Sequence, residues 1–104
     1  MNQIQKTKHF IYCLEFYDEY NEKTGKYDAT KRYIGRTKDL KRRWSEHKNG
    51  LGGIKRLRHR NFEKCRFILE DVGNEDNIQN LEQKWIDHYG IENLLNANNA
   101  KNKK

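Results

Sequence analysis

The sequence predicts an α+β fold, with a small three-stranded and mainly antiparallel sheet flanked by helices. Three segments rich in aromatic and β-branched residues indicate strands, and two segments with apolar residues at helical spacing indicate helices. A length of 104 residues fits one hydrophobic core. We therefore predict a single domain over residues 1–97 and a basic, polar, disordered tail over residues 98–104.

Alternation of side chains predicts the strands. His9–Tyr17 is the first strand, with two faces that carry Phe10, Tyr12, Leu14 and Phe16 on one side and Ile11, Cys13, Glu15 and Tyr17 on the other. Residues 18–30 are polar and contain Thr24-Gly25, which predicts a hairpin connection to a second strand at Lys31–Arg36. Cys65–Leu69 is the third strand.

The first helix is predicted to begin at Leu40, after Thr37 or Asp39 as its cap, and to end near Lys48 or Asn49. Its apolar side would consist of Leu40, Trp44 and Leu51. Three glycines would end it: Gly50, Gly52 and Gly53.

The second helix is predicted from an apolar stripe of Ile78, Leu81, Trp85, Ile86 and Tyr89. Gly73 and Asn74 would introduce this helix, and Gly90 would end it. Glu75 and Asp76 are expected in its first turn, where carboxylates suit the positive end of the helix dipole.

The charge balance favours a polyanionic partner. Twenty-two Lys and Arg against fifteen Asp and Glu give a net charge of +7, although a positive surface can also serve solubility alone. Between residues 31 and 60 only Asp39 and Glu46 oppose a long run of cations. We predict that this run contacts phosphates through Arg36, Lys38, Lys41, Arg42, Lys55, Arg56, Arg58 and Arg60.

Glu82 lies four residues after Ile78 and three before Trp85, on the side of the helix that must pack on the sheet. A carboxylate there needs a partner, which is either an arginine or a metal ion. Arg43 and His47 share one face of the first helix. They are either solvated surface residues, or a guanidinium that holds a phosphate beside an imidazole that relays a proton.

Tyr12 and Tyr33 come from the first two strands, where tyrosine is an ordinary residue. Together with Arg43, His47 and Glu82, they supply a phenol to accept a proton, cations to stabilise developing charge and a carboxylate for a divalent ion. Metal-assisted phosphodiester hydrolysis needs these groups. One embedded carboxylate favours one metal ion over a two-metal arrangement.

The order of these residues resembles the signature of the GIY-YIG nuclease family, which includes phage and intron homing endonucleases, restriction enzymes and an excision-repair nuclease. The resemblance runs from about residue 9 to about residue 98. It rests on Phe10-Ile11-Tyr12, then Tyr33-Ile34-Gly35-Arg36-Thr37, then Leu40, Arg43 and His47, then Leu81-Glu82 with Trp85-Ile86, and finally Asn96 in Leu94-Leu95-Asn96-Ala97.

The resemblance implies a role for each matching residue. Tyr12 would position or polarise the nucleophile or the phosphate, and Tyr33 would be the leading candidate for the general base. Arg43 would steady the phosphate, and His47 would assist proton transfer. Glu82 would bind one Mg²⁺ or Mn²⁺ ion.

Asn96 would hold the site together by hydrogen bonds. Because neighbouring cations favour a phenolate, Arg36, Lys38 and Arg43 are expected to lower the pKa of the acting tyrosine from its usual value of about 10. The chain departs from the family pattern in two places. Phe10 stands where glycine is usual, and Tyr12 and Tyr33 are 21 residues apart, a longer interval that the hairpin absorbs.

The expected partner is DNA, with RNA as an open alternative, and no membrane. The resemblance implies a monomer or a transient dimer on DNA, with a protein partner as one source of sequence specificity. Cys13 and Cys65 lack metal-ligand spacing, which fits a reducing cytoplasm, the host's if the chain is encoded by a phage. A non-catalytic nucleic-acid-binding module is the main rival interpretation, and a protein-interaction domain is a weaker one.

Overall fold

The computed structural model describes residues 7–17, 19–28 and 31–100. It confirms the α+β fold, a three-stranded antiparallel sheet with two α-helices. In chain order the elements are β1 (Lys8–Phe16), β2 (Glu19–Asn21), β3 (Lys26–Asp28), β4 (Lys31–Thr37), α1 (Leu40–Lys48), β5 (Cys65–Asn74) and α2 (Ile78–Tyr89), with 3₁₀ turns at Lys55–Leu57, Phe62–Lys64 and Ile91–Asn93.

Strand β1 lies at the centre of the sheet, between β4 and β5, and is antiparallel to both. Its register sets Tyr12 opposite Gly35 and Leu14 opposite Tyr33. A strand is buried where both faces of its sheet are covered by other elements. Residues 11 to 14 of β1 are accordingly all buried.

The two faces of β1 belong to two separate hydrophobic clusters, as its alternation predicted. Tyr12, Leu14 and Phe16 pack on the side of α1 and the Lys55–Leu57 turn. Ile11 and Cys13 pack on the other side, against α2. Each helix therefore covers one face of the sheet, and residues from α1 and α2 reach the sheet from opposite sides.

The connection between β1 and β4 is a small hairpin of its own, in which β2 pairs with β3. Gly25 has a φ of 70°, and its amide donates to the carbonyl of Asn21, which closes the turn. Tyr20 and Tyr27 face each other across this ladder. The hairpin accounts for the long interval between Tyr12 and Tyr33, while Asp18, Ala29 and Thr30 lie outside the described residues.

Three details of the predicted elements were wrong. Leu51 is 73% exposed and lies beyond α1, because Gly50 turns the chain away with a φ of 73°. Strand β5 continues through Gly73 and Asn74, which were expected to introduce the helix.

Helix α2 consequently begins at Ile78 and has no acidic residue in its first turn, so Glu75 and Asp76 belong to the preceding turn. Position 73 of this strand requires glycine because a Cβ there would overlap the side chains of Asn77 and Leu81. Asn74 holds the turn through hydrogen bonds from the amides of Asp76 and Asn77.

The segment after α2 runs along the free edge of β4. The Leu95 amide donates to the Arg32 carbonyl at 2.7 Å. The Asn96 side chain accepts from the Ile34 amide at 2.9 Å and donates to the Ile34 carbonyl at 2.7 Å. Asn96 thus satisfies the outward backbone groups of an edge strand in the way a neighbouring strand would.

Part of the predicted tail contacts α2. Gln83 donates to the Asn99 side chain at 3.0 Å and accepts from the Ala100 amide at 2.9 Å. Residues 101–104 lie outside the described residues.

Replacement of Asn96 by alanine should lower the free energy of unfolding by about 2–4 kcal/mol, because it leaves the buried amide and carbonyl of Ile34 without partners. Urea denaturation of Asn96→Ala checks this expectation, with the exposed Asn98→Ala as a control. Equal midpoints for the two variants would contradict the edge-strand role of Asn96.

Candidate active site

Helix α1 brings Arg43 and His47 to the sheet. Asp39 caps it, as one of the two predicted caps, and its carboxylate accepts from the Arg42 amide at 3.0 Å. Residues four apart share a helix face, so Arg43 and His47 both point to the β1 face that carries Tyr12. His47 is only 2% exposed.

A buried hydrogen bond joins Tyr12 and His47. The phenolic oxygen of Tyr12 lies 2.9 Å from Nε2 of His47 and accepts from Nε of Arg43 at 3.3 Å. Because a guanidinium can only donate, the Tyr12 proton is left to donate to His47. The sheet and α1 are thereby connected through three of the predicted site residues.

Gly35 leaves the space in which the Tyr12 side chain lies. A Cβ at Gly35 would overlap the ring and the hydroxyl of Tyr12, which stands opposite it in the β1–β4 ladder. Tyr33, on the same strand and the same face, places its ring 6.4 Å from the Tyr12 ring and 6.2 Å from the His47 ring. The absence of a side chain at position 35 thus lets both tyrosines converge on His47.

Arg43 is held in place by two further contacts. Its guanidinium donates to Glu46 at 3.1 Å and to the Gly52 carbonyl at 3.2 Å. Gly52 also borders the imidazole, since a Cβ there would come within 2.8 Å of Nδ1 of His47. Neither Glu46 nor Gly52 was predicted as a site residue. The i, i+3 spacing of Arg43 and Glu46 could have revealed the first, whereas the second depends on the path of the loop.

Burial raises the pKa of the Tyr12 and Tyr33 phenols, and Arg43 acts in the opposite direction on both. The expectation that neighbouring cations would lower the pKa of the acting tyrosine was therefore wrong for the protein alone. The cations are present, but desolvation of a phenolate outweighs them.

The imidazole of His47 is neutral at physiological pH. Burial, assisted by the positive charge of Arg43, lowers the pKa of His47 to about 4. The His47 ring also stacks on Phe62, with 6.1 Å between ring centroids. A neutral imidazole can accept a hydrogen bond from Tyr12 but carries no charge with which to stabilise a phosphate.

Glu82 approaches from α2 with a side chain that is 14% exposed. Its carboxylate lies 3.5 Å from Nε of Arg36, so the arginine partner considered from the sequence is present. Burial raises the pKa of Glu82, and Arg36 opposes this. The charge of Glu82 in turn raises the pKa of both Tyr12 and Tyr33, which places all three in one electrostatic environment.

Asn96 lies at the edge of this site. Its side chain bonds the backbone of Ile34, the residue that follows Tyr33, so Asn96 fixes the strand that carries the tyrosine.

The predicted phosphate-binding residues fall into two groups. Four have partners in the protein: Arg36 with Glu82, Arg42 with Glu46, Arg56 with the Asn96 carbonyl, and Arg60 with Glu19. The other four, Lys38, Lys41, Lys55 and Arg58, are exposed.

A model of the GIY-YIG catalytic domain matches residues 8–96, which is most of the chain. The protein belongs to the GIY-YIG family. It is therefore of the nuclease class, hydrolases that act on the phosphodiester bonds of nucleic acids. No curated protein and no solved structure matches the chain.

None of the helices in the described part of the chain has the length and apolar character needed to cross a membrane.

Acidification should unfold the wild type more readily than a His47→Gln variant. The pKa of His47 in the folded state is below its unfolded value of about 6.5, so the unfolded state binds the extra proton and stability falls as the pH drops from about 6.5 to about 4. The wild type should lose on the order of 1–3 kcal/mol more than the variant over this interval.

Urea denaturation at pH 7 and at pH 4.5 measures both losses. Other groups that titrate in this range are common to the two proteins, so the difference between the losses isolates His47. Parallel pH profiles would show that His47 is not held neutral by its surroundings.

Proposed function

We propose that this protein is a metal-dependent endonuclease that hydrolyses DNA phosphodiester bonds with the assistance of tyrosine and one divalent ion. The observation that carries the proposal is the convergence of Tyr12, Tyr33, Arg43 and His47 on one side of the gap at Gly35, within a chain of a nuclease family. Arg36 holds Glu82 within the same electrostatic environment.

Glu82 is suited to bind a magnesium ion that has few protein ligands. The described residues contain no group of three or more His, Cys, Asp or Glu side chains arranged to hold a metal. Mg²⁺ commonly keeps several waters and binds through one or two carboxylates together with substrate phosphates. A single carboxylate that is 14% exposed and acts electrostatically on both tyrosines meets that requirement. When bound, such an ion would supply positive charge to the phosphate oxygens.

To bind the metal ion, Glu82 would have to release its ion pair with Arg36. Arg36 has a side chain that is 46% exposed, so it can turn towards solvent or a phosphate without opening the core. An ion that binds Glu82 would also reduce the negative charge that raises the pKa of the two phenols. Binding of the metal and activation of a tyrosine would then be linked.

The other residues of the site would have separate roles in hydrolysis. Arg43 would steady the scissile phosphate through a guanidinium that Glu46 and Gly52 already orient. Tyr33 would be the general base, because it is less buried than Tyr12 and Arg43 favours its phenolate. Tyr12 would orient the water or the phosphate, with neutral His47 accepting the hydrogen bond from its hydroxyl.

A non-catalytic nucleic-acid-binding module is the alternative. The pairing of the polar groups with each other favours it, since Arg43 bonds Tyr12, Glu46 and Gly52 while Glu82 pairs with Arg36. Burial that raises the pKa of both tyrosines also opposes base catalysis in the metal-free protein. This module would hold phosphates without cutting them.

Substitution of Glu82 by glutamine should abolish nicking of supercoiled plasmid in Mg²⁺ and Mn²⁺, because the amide keeps the shape but loses the charge that holds the ion. We expect a loss of at least about a hundredfold, from removal of several kcal/mol of transition-state stabilisation. Glu75→Gln, which removes an exposed carboxylate before α2, is the matched control and should cut as the wild type does. EDTA should abolish plasmid nicking by the wild type and by Glu75→Gln.

Equal nicking by Glu82→Gln and the wild type would remove the metal role of Glu82. If the wild type binds plasmid and branched DNA but cuts neither, the binding-module alternative gains support.

Replacement of Arg43 by alanine should reduce the cleavage rate far more than DNA affinity, if the guanidinium acts mainly in the transition state. A loss of about 10²–10³-fold in rate is expected, the cost of one preorganised charge-stabilising donor. Single-turnover cleavage and fluorescence anisotropy on the same oligonucleotide give the two quantities. Equal losses in rate and affinity would assign Arg43 to ground-state binding.

A further inference from the structure

A cavity beside His47 takes no part in the proposed division of work. It has a volume of about 210 Å³ and lies between the end of α1, the glycine-rich loop that follows and the Lys55–Leu57 and Phe62–Lys64 turns. His47 and Phe62 contribute ring surface to its lining, and Leu57 contributes a buried side chain. Since His47 also bonds Tyr12, one residue borders both the cavity and the candidate active site.

Three cations line the cavity, Lys48, Arg58 and Arg60, and no carboxylate is present among the described residues of its lining. Arg60 is partly neutralised by Glu19, 2.9 Å away. The Arg58 side chain forms no hydrogen bond or ion pair within the described part of the chain, so its positive charge is available to a ligand. A site with this balance attracts an anion, and Arg58 is the cation best placed to hold it.

Backbone donors add to the charge. The amides of Gly52 and Gly53 donate to no acceptor among residues 7–17, 19–28 and 31–100, although the chain bends sharply there and Gly53 has a φ of 74°. Successive amides without an acceptor in the protein can donate to a phosphate group. Glycine allows a ligand to approach the backbone closely.

The cavity has a fixed relation to the candidate active site. The Gly52 carbonyl accepts from Arg43 at 3.2 Å. The imidazole of His47 occupies the space that a Cβ at Gly52 would need. The loop that lines the cavity is therefore tied to the guanidinium that would steady the scissile phosphate. A phosphate held by Arg43 and an anion in the cavity would therefore lie on the two sides of Gly52.

We propose that this cavity binds the phosphate of a nucleotide adjoining the scissile bond, through Arg58 and the amides of Gly52 and Gly53. Pockets that enclose drug-sized ligands have volumes of roughly 300–1,000 Å³, so a smaller cavity suits a phosphate with its sugar rather than a whole base pair. The proposal rests on the proposed function, which supplies the first phosphate position, and it adds a second contact that places the strand in register.

The experiment uses thymidine 3′,5′-bisphosphate, which carries two phosphates on one nucleoside, titrated into the full chain in EDTA and followed by amide NMR. We expect the resonances of Gly52 and Gly53 to shift. Arg58→Gln should raise the dissociation constant of the bisphosphate by about tenfold or more, because it removes a charge-assisted hydrogen bond. Arg66→Gln, an equal charge change on the exposed face of β5, is the matched control and should change it by less than roughly twofold.

Unshifted amides at Gly52 and Gly53, or equal effects of Arg58→Gln and Arg66→Gln, would overturn the proposal. The binding readout does not depend on cleavage, so the two hypotheses fail separately. A chain that nicks plasmid but gives either of these results is a nuclease without this subsite. A chain that binds the bisphosphate through Arg58 but cuts no DNA keeps the subsite and loses the nuclease proposal.

Discussion

The buried hydrogen bond between Tyr12 and His47 is the constraint on which the arrangement of the site depends. It joins the central strand to α1 in a region where both residues are almost fully inaccessible to water. Two neighbouring positions must lack side chains for this bond to form, Gly35 under the phenol and Gly52 beside the imidazole. Burial then determines the protonation states, since it favours a neutral phenol and a neutral imidazole. The packing that buries this hydrogen bond therefore also determines the protonation states of Tyr12 and His47.

Much of the fold could be predicted because it follows from short-range patterns. The alternation along β1 separates the two clusters correctly, and the apolar stripe from Ile78 to Tyr89 matches α2. What could not be predicted depends on residues distant in sequence. Asn96 binds the backbone of Ile34, 62 residues away, and no local pattern indicates that contact. Strand β5 extends to Asn74 because it pairs with β1 as far as Lys8, so the partner strand determines its length.

Which of the candidate residues lie together could be predicted better than the environment that surrounds them. Helical spacing places Arg43 and His47 on one face and singles out Glu82, and the family resemblance supplies the roles of the two tyrosines. The sequence also shows the cations near the tyrosines, but it does not show how far each phenol is removed from water. The predicted direction of the tyrosine pKa was wrong for that reason. Glu46 and Gly52, which orient Arg43, emerge only when the loop after α1 has a known path.

The edge contact made by Asn96 also bears on the order in which a newly synthesised chain can become functional. Within the described part of the chain, the segment at residues 95 and 96 satisfies the outer backbone groups of β4, the strand that carries Tyr33. A ribosome-bound chain that ends before this segment can pair β1 with β4 but leaves that edge open. Because a chain emerges from the ribosome in sequence order, the edge of β4 is completed only after residues 95 and 96 have emerged, well after β1 and β4 themselves. Pairing of β1 with β4 is thus expected to precede completion of the site in the nascent protein.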